Sequence, residues 1–224
     1  DLYHGGDVTA VIKRFPEPSR GRFLYREEWE RVKAVLDQQP LLVRVYFNLL
    51  IYEGPRMSEA RLMQWSHLDL REGLWRKPLT KNGRTHVIEL GPQTCALLRQ
   101  LPRYGRYVFY GDPTNNHVNQ DCPWSRTSVQ YHWKKIRTEA GVPDVRIHDL
   151  RRTFATWLAM QGENLITIQN ALGHSSLDAT KIYVQHVPAT LRSAKTRLAE
   201  RLSATTVPCQ SEVPMLPTTQ LQEG

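Results

Sequence analysis

Arg56, Lys81, His148, Arg151, His174 and Tyr183 are the residues of this chain whose types and settings could do chemistry. Guanidiniums and imidazoles hold anions or move protons, an ammonium can give up a proton, and a phenol can act as a nucleophile. Arg56 lies in Gly54-Pro55-Arg56-Met57-Ser58-Glu59, just ahead of a helical pattern. There a guanidinium can face a groove while Met57, Leu62 and Met63 anchor the helix in the core. Glu59 follows on the same helical face; taken alone, the two read more readily as a surface ion pair of little energetic weight. Lys81 precedes Asn82-Gly83. At a hairpin tip it is either simply solvated or placed to reach into a substrate and release a proton.

His148 and Arg151, in His148-Asp149-Leu150-Arg151-Arg152-Thr153, share one face at a helix N-terminus, itself a favourable place for an anion. His148 reads otherwise as a helix cap. Leu150, Phe154, Trp157 and Leu158 supply the buried face of that helix. In Leu172-Gly173-His174, the glycine can take the left-handed conformation that ends a helix and turns His174 outward. Tyr183, in Lys181-Ile182-Tyr183-Val184-Gln185-His186-Val187, is by default a half-buried tyrosine with its hydroxyl satisfied.

The elements that must carry these residues are mostly helical. Helical periodicity runs through 26–37, from Pro40 to 52, over about 58–65, 92–101, 125–140, 149–161, 165–172, 177–184 and 189–202. The β region comprises short strands over 68–70, 74–79 and 85–90. The last two flank Lys81-Asn82-Gly83-Arg84, and Asn-Gly is a strong hairpin signal. Residues 104–123 read as a loop with a short strand at 107–110. The fold class expected is mainly α with a small antiparallel β-sheet. Residues 1–22, rich in Gly and Pro, read as a linker arriving from a missing N-terminal part, 23–202 as the folded domain and 203–224 as a disordered tail.

Composition narrows the classes. Net charge is +8 and the 30 basic residues all lie before Ser203, whereas Glu212 and Glu223, two of the 22 acids, lie beyond it. The surplus points to a polyanionic partner. The apolar run from Leu41 to Tyr52 contains Arg44 and falls short of the ~20 residues that span a bilayer. Cys95, Cys122 and Cys209 are far apart, which argues against a disulfide framework or structural zinc and fits a reducing cytoplasm. There is no phosphate-binding G-x-x-x-x-G-K-[ST] loop and no carboxylate cluster with metal-ligand spacing.

In this order, within a chain of this size and charge, these residues resemble the active-site set of the tyrosine recombinase (phage integrase) family. The likeness runs from Arg22 to about Leu202. It rests on R-x-x-E at Arg56 and Glu59, the hairpin Lys81, H-x-L-R at His148 and Arg151, L-G-H at His174, and I-Y-x-x-H-V around Tyr183. Arg152 stands where many members carry a second histidine, and Pro55 replaces a small or aliphatic residue; neither is a matched catalytic position. The resemblance implies the integrase catalytic-domain fold over 23–202, a missing N-terminal DNA-binding arm ahead of the 1–22 linker, and a cut-and-rejoin reaction on double-stranded DNA. Tyr183 would attack a phosphodiester to leave a 3′-phosphotyrosyl link, His148 accept its proton or orient the phosphate, and Lys81 protonate the leaving 5′-oxygen. Arg56 and Arg151 would clamp the non-bridging oxygens and His174 add a donor, with Glu59 holding a neighbouring side chain in place. No cofactor or metal is implied. The assembly implied is a homo-oligomer, a tetramer on paired DNA sites, with the isolated domain monomeric, off the membrane and cytoplasmic. A type IB topoisomerase and a non-catalytic DNA-binding regulator are the rival readings.

Overall fold

The computed structural model describes residues 21–77, 86–111, 121–173 and 190–204. Lys81, His174, Tyr183, the helix expected over 177–184, the linker before residue 21 and the tail after residue 204 lie outside the described residues. The chain divides into two units, one up to Val187 and one from Pro188.

In the first unit, α1 (Arg26–Asp37) forms where the apolar stripe required it, burying Val32, Val35 and Leu36. The Glu28 carboxylate accepts the Tyr25 backbone N–H at 2.9 Å, capping the first turn. The strand-like segment ahead of it is strapped to α6 (Ile147–Met160): Leu24 N–H donates to Thr153 Oγ1 (2.8 Å) and Trp157 Nε1 to Leu24 O (3.1 Å). The next helix, α2 (Leu41–Tyr52), is apolar around most of its circumference and therefore central, with Val43, Val45 to Ile51 all buried. It packs against α1, α3 (Met57–Arg61), α4 (Pro92–Arg99) and α6. The rings of Phe47, Phe109 and Trp124 meet that of Tyr46 edge-on at centroid distances of 4.9–5.3 Å.

Gly54 ends α2 with φ +61°, and the Phe154 ring of α6 lies where a side chain would begin. Gly54→Ala therefore meets both a left-handed backbone penalty of about 1–2 kcal/mol and a steric clash. A drop of several degrees in Tm is expected; an unchanged melt would mean that the turn relaxes freely.

The helix expected over 58–65 is shorter. After α3 the chain turns, Met63 O accepts Val108 N–H (2.9 Å) and Trp65 N–H donates to Arg106 O (3.2 Å), so backbone groups that would continue the helix pair with the 106–108 segment instead. Leu62 is consequently 44% exposed rather than anchoring, while Met63 is buried. A single 3-10 turn follows at Trp65–His67. The strand expected at 107–110 is reduced to isolated bridges, Gln64 to Tyr107 and Tyr110 to Pro123.

The sheet is antiparallel in the order β1 (Leu68–Asp69), β2 (Leu74–Lys77), β3 (His86–Glu89), with Trp75 opposite Ile88 and Lys77 opposite His86. Alternation along β2 buries Trp75 and Lys77 and exposes Arg76. The remaining helices are α5 (Arg126–Glu139), capped by Ser125 Oγ accepting Ser128 N–H at 3.0 Å, and α7 (Leu165–Leu172), capped by Asn164 Oδ1 accepting Thr167 N–H at 2.8 Å. In the second unit, α8 covers Thr190–Ala204. No described helix is long and apolar enough to cross a membrane.

Candidate active site

Arg151 is the centre of the site. It projects from the first turns of α6 and is 3% exposed. Its Nη1 donates to Gly54 O (2.6 Å) and its Nη2 to Leu172 O (2.8 Å). One planar fork thus joins the α2–α3 turn to the C-terminal end of α7, where a helix carbonyl lacks an intrahelical donor and welcomes a cation.

The α6 helix begins at Ile147, two positions before the expected start, because Asp149 Oδ2 accepts the Arg146 N–H (2.8 Å). Arg146 is the N-cap and Asp149 supplies the capping carboxylate, so the cap reading of His148 is set aside. The imidazole instead lines a cleft of about 510 Å³ together with Arg151, Arg126, Gln130, Arg146 and Pro55. Burial, then the Arg152 and Arg151 charges, hold His148 below the ordinary histidine value. It is therefore neutral near pH 7, the form that can accept a proton.

Arg56 stands on the turn between Gly54 and α3, its side chain half-exposed. Glu59 secures it twice, with Oε1 accepting from Nη1 at 2.8 Å and Oε2 from the Arg56 backbone N–H at 3.1 Å. The charge of Arg56 is felt at both His148 and Lys77, so Arg56, His148 and Arg151 belong to one electrostatic neighbourhood. The pairing with Glu59 is more than the surface ion pair that the sequence allowed, because the same carboxylate also takes the Lys77 ammonium at 3.0 Å.

Lys77 and His86 are the site residues that sequence reasoning missed. Both sit on the inward side of the hairpin stem. His86 Nε2 lies 3.0 Å from Asn170 O, and its ring fills the space beside Gly173, the residue before His174. Gly173 has φ +65°, as a helix-ending glycine should. The available signal was the period of two in Leu74–Lys77: the phase that buries Trp75 buries Lys77, and a buried lysine needs an acid. Arg126, Gln130, Trp133 and Arg137 line the cleft at helical spacing along α5, a pattern equally legible in advance. Among the described residues no group of three or more His, Cys, Asp and Glu side chains is placed to hold a metal ion.

The structure thus brings Arg56, Glu59, His148 and Arg151 into one neighbourhood, and it describes the paired strands β2 and β3 that precede and follow Lys81 in sequence as well as the glycine before His174. Residues 22–189 match the model of the phage integrase family. The integrase of Salmonella phage P22 is 28% identical over 215 residues, covering 92% of this chain and 54% of that protein. Tyrosine recombinase XerA of Thermococcus kodakarensis is 31% identical over 208 residues, covering 89% of this chain and 72% of that protein. Against several curated relatives, the P22 integrase among them, the chain spans about half their length. The fold is shared with XerH site-specific recombinase bound to its difH substrate in a pre-cleavage complex, with a TM-score of 0.61 and 22% identity over 78% of this chain and 52% of that one. The extent of the family match, with the XerA identity beside it, places the chain: it belongs to the phage integrase family, the tyrosine recombinases.

Proposed function

We propose that this chain is the catalytic region of a site-specific DNA recombinase that cuts and rejoins DNA through a phosphotyrosyl link on Tyr183. The observation that carries the reading is neutral His148 and Arg151 lining one basic cleft, with the charge of Arg56 felt at His148, in a chain of this family. Arg56 and Lys77 share one carboxylate, Glu59, and the charge of Arg151 is felt at Lys77, which leaves net positive charge where a phosphate would sit. Phosphoryl transfer depends on positioning and charge stabilisation, which fixed guanidiniums can supply.

The step balances simply. The Tyr183 oxygen forms a bond to phosphorus as its proton passes to His148, the P–O5′ bond breaks, and the 5′-oxygen takes a proton from Lys81. A free tyrosine has a pKa of about 10, so roughly one in a thousand is ionised at pH 7 and the site must assist. A 5′-hydroxyl from another strand reverses the step, because the phosphotyrosyl diester conserves the energy of the broken bond. Arg126, Gln130 and Arg146, further along the cleft, face the flanking DNA in this reading. Two or four protomers act together on paired sites.

The test is covalent capture. The chain is incubated with a library of nicked duplexes carrying a randomised core, and adducts are sequenced. Recovery of a denaturation-resistant adduct on a shared core sequence supports the proposal; binding without an adduct leaves a DNA-binding regulator. Sequence-independent relaxation of supercoiled plasmid would favour the topoisomerase reading.

Lys81 makes a separate prediction. A 5′-phosphorothiolate linkage leaves as a thiolate that hardly needs a proton. Lys81→Ala should be slow on normal DNA and largely rescued on that substrate. Equal slowness on both would assign the acid to another group.

A further inference from the structure

Lys77 has no part in the reaction as described, yet it is one of the most deeply buried charges in the first unit, at 6% exposure. Strand alternation sends it inward beside Trp75, with its ammonium 5.6 Å from the Trp75 ring centre and 3.0 Å from Glu59 Oε2. A buried ion pair is a poor way to stabilise a fold, since a well-packed apolar pair of similar volume does as well or better. Its geometry here does something else. Glu59 Oε2 is shared between the Lys77 ammonium and the Arg56 backbone N–H, while Oε1 holds the Arg56 guanidinium. The chain of contacts runs from β2 through one carboxylate to the guanidinium of Arg56, whose neighbours Pro55 and Met57 line the cleft.

We infer that Lys77 is a positioning residue that acts through Glu59 to hold the Arg56 guanidinium in place for an anion in the cleft. The inference rests on the recombinase reading and extends it to how one of its phosphate ligands is oriented.

The charges around Glu59 explain why a lysine is needed. Burial pushes the Glu59 carboxyl up, but the Lys77 ammonium and the bonds to Arg56 outweigh it, and the group lies below the usual carboxylate range. Lys77 is in turn lowered, by burial and by the Arg151 and Arg56 charges, against the single opposing pull of Glu59. Both directions follow from several cations sharing one acid. The groups whose charges meet here are Arg56 and Glu59 from the start of α3, Lys77 and His86 from the sheet, and Arg151 from α6. Without Lys77, burial is opposed by Arg56 alone, so the Glu59 value rises. As pH falls through that raised value, Glu59 takes a proton and Arg56 loses its charged anchor.

The experiment measures single-turnover cleavage of a nicked duplex recovered by covalent capture on the unaltered chain, across about pH 5.5–8.5. Lys77→Met should show an acid limb that the unaltered chain lacks over this range, so that its ratio of rates at pH 8 and pH 6 exceeds the unaltered chain's, one pH unit of displacement being about tenfold. Carbon-13 titration of the Glu59 carboxyl should show its pKa raised in the same variant. Lys77→Arg should recover most of the rate and remove the extra limb. A uniform loss with no new limb, or a Lys77→Arg variant no better than Lys77→Met, overturns the inference. Should Lys77→Met fold poorly, Glu59→Gln and Glu59→Gln/Lys77→Met are compared. Equal rates in those two support action through Glu59, and additive losses overturn it. Failure of the unaltered chain to form any adduct would instead overturn the recombinase reading.

Discussion

Replacing Tyr183 with phenylalanine is expected to abolish the covalent protein–DNA adduct while leaving DNA binding nearly unchanged. The substitution removes one oxygen and keeps the ring, and the charge of the chain, +8, is unaltered. Affinity for DNA comes mainly from phosphate neutralisation by Lys and Arg, none of which is touched. Only the bond-forming atom is lost, and neither solvent nor a neighbouring side chain can replace it in a product that is defined by a tyrosyl ester. On the captured nicked duplex, adduct should fall below detection in a denaturing gel while a native gel shift stays within about threefold of the parent, a difference of under 1 kcal/mol. Adduct persisting in Tyr183→Phe would remove Tyr183 from the proposed mechanism. Adduct lost together with binding would mean that the phenol is a structural group.

Arg151→Lys is expected to give the next largest effect, and to give it twice. The guanidinium spans two carbonyls on different elements, Gly54 O and Leu172 O, from a nearly solvent-free position. A lysine keeps the charge but cannot reproduce the planar fork, so at least one buried carbonyl loses its donor, at about 1–3 kcal/mol. Lost orientation toward the transferring phosphoryl group adds a rate penalty of roughly 10²–10³, the scale for a single transition-state donor. Arg56→Lys is the control. Its side chain is half-exposed, so it should lose rate on a similar scale with little change in Tm. Near-normal cleavage by Arg151→Lys would leave that residue a purely structural brace. Equal losses of Tm in both variants would contradict the distinction between a buried fork and a half-exposed one.

Much of this protein is legible in one dimension. Val32, Val35 and Leu36 fall on one face of α1 because 3.6 residues make a turn, and the glycine at 173 ends α7 because only a residue without a side chain takes that backbone at low cost. The chemistry-bearing motifs are local too: H-x-L-R at His148 occupies a single helical turn and R-x-x-E at Arg56 spans a helix cap and its first turn, so spacing alone sets their members side by side. What spacing could not supply is which turns meet. The shortening of α3 follows from pairing with a segment some forty residues away, at Arg106 and Val108. The start of α6 at Ile147 follows from the Asp149 carboxylate choosing a backbone N–H. Arg151 was readable as a candidate ligand, but not as the brace between Gly54 and Leu172, since both partners are distant in sequence. Lys77 is the sharpest case. Within its strand it is a lysine on the wrong face; only the packing of that strand beside the turn at Arg56 sets its ammonium against Glu59. Helical and strand periods are determined by neighbours along the chain, whereas burial, charge pairing and the cleft arise from surfaces that the chain brings together only on folding.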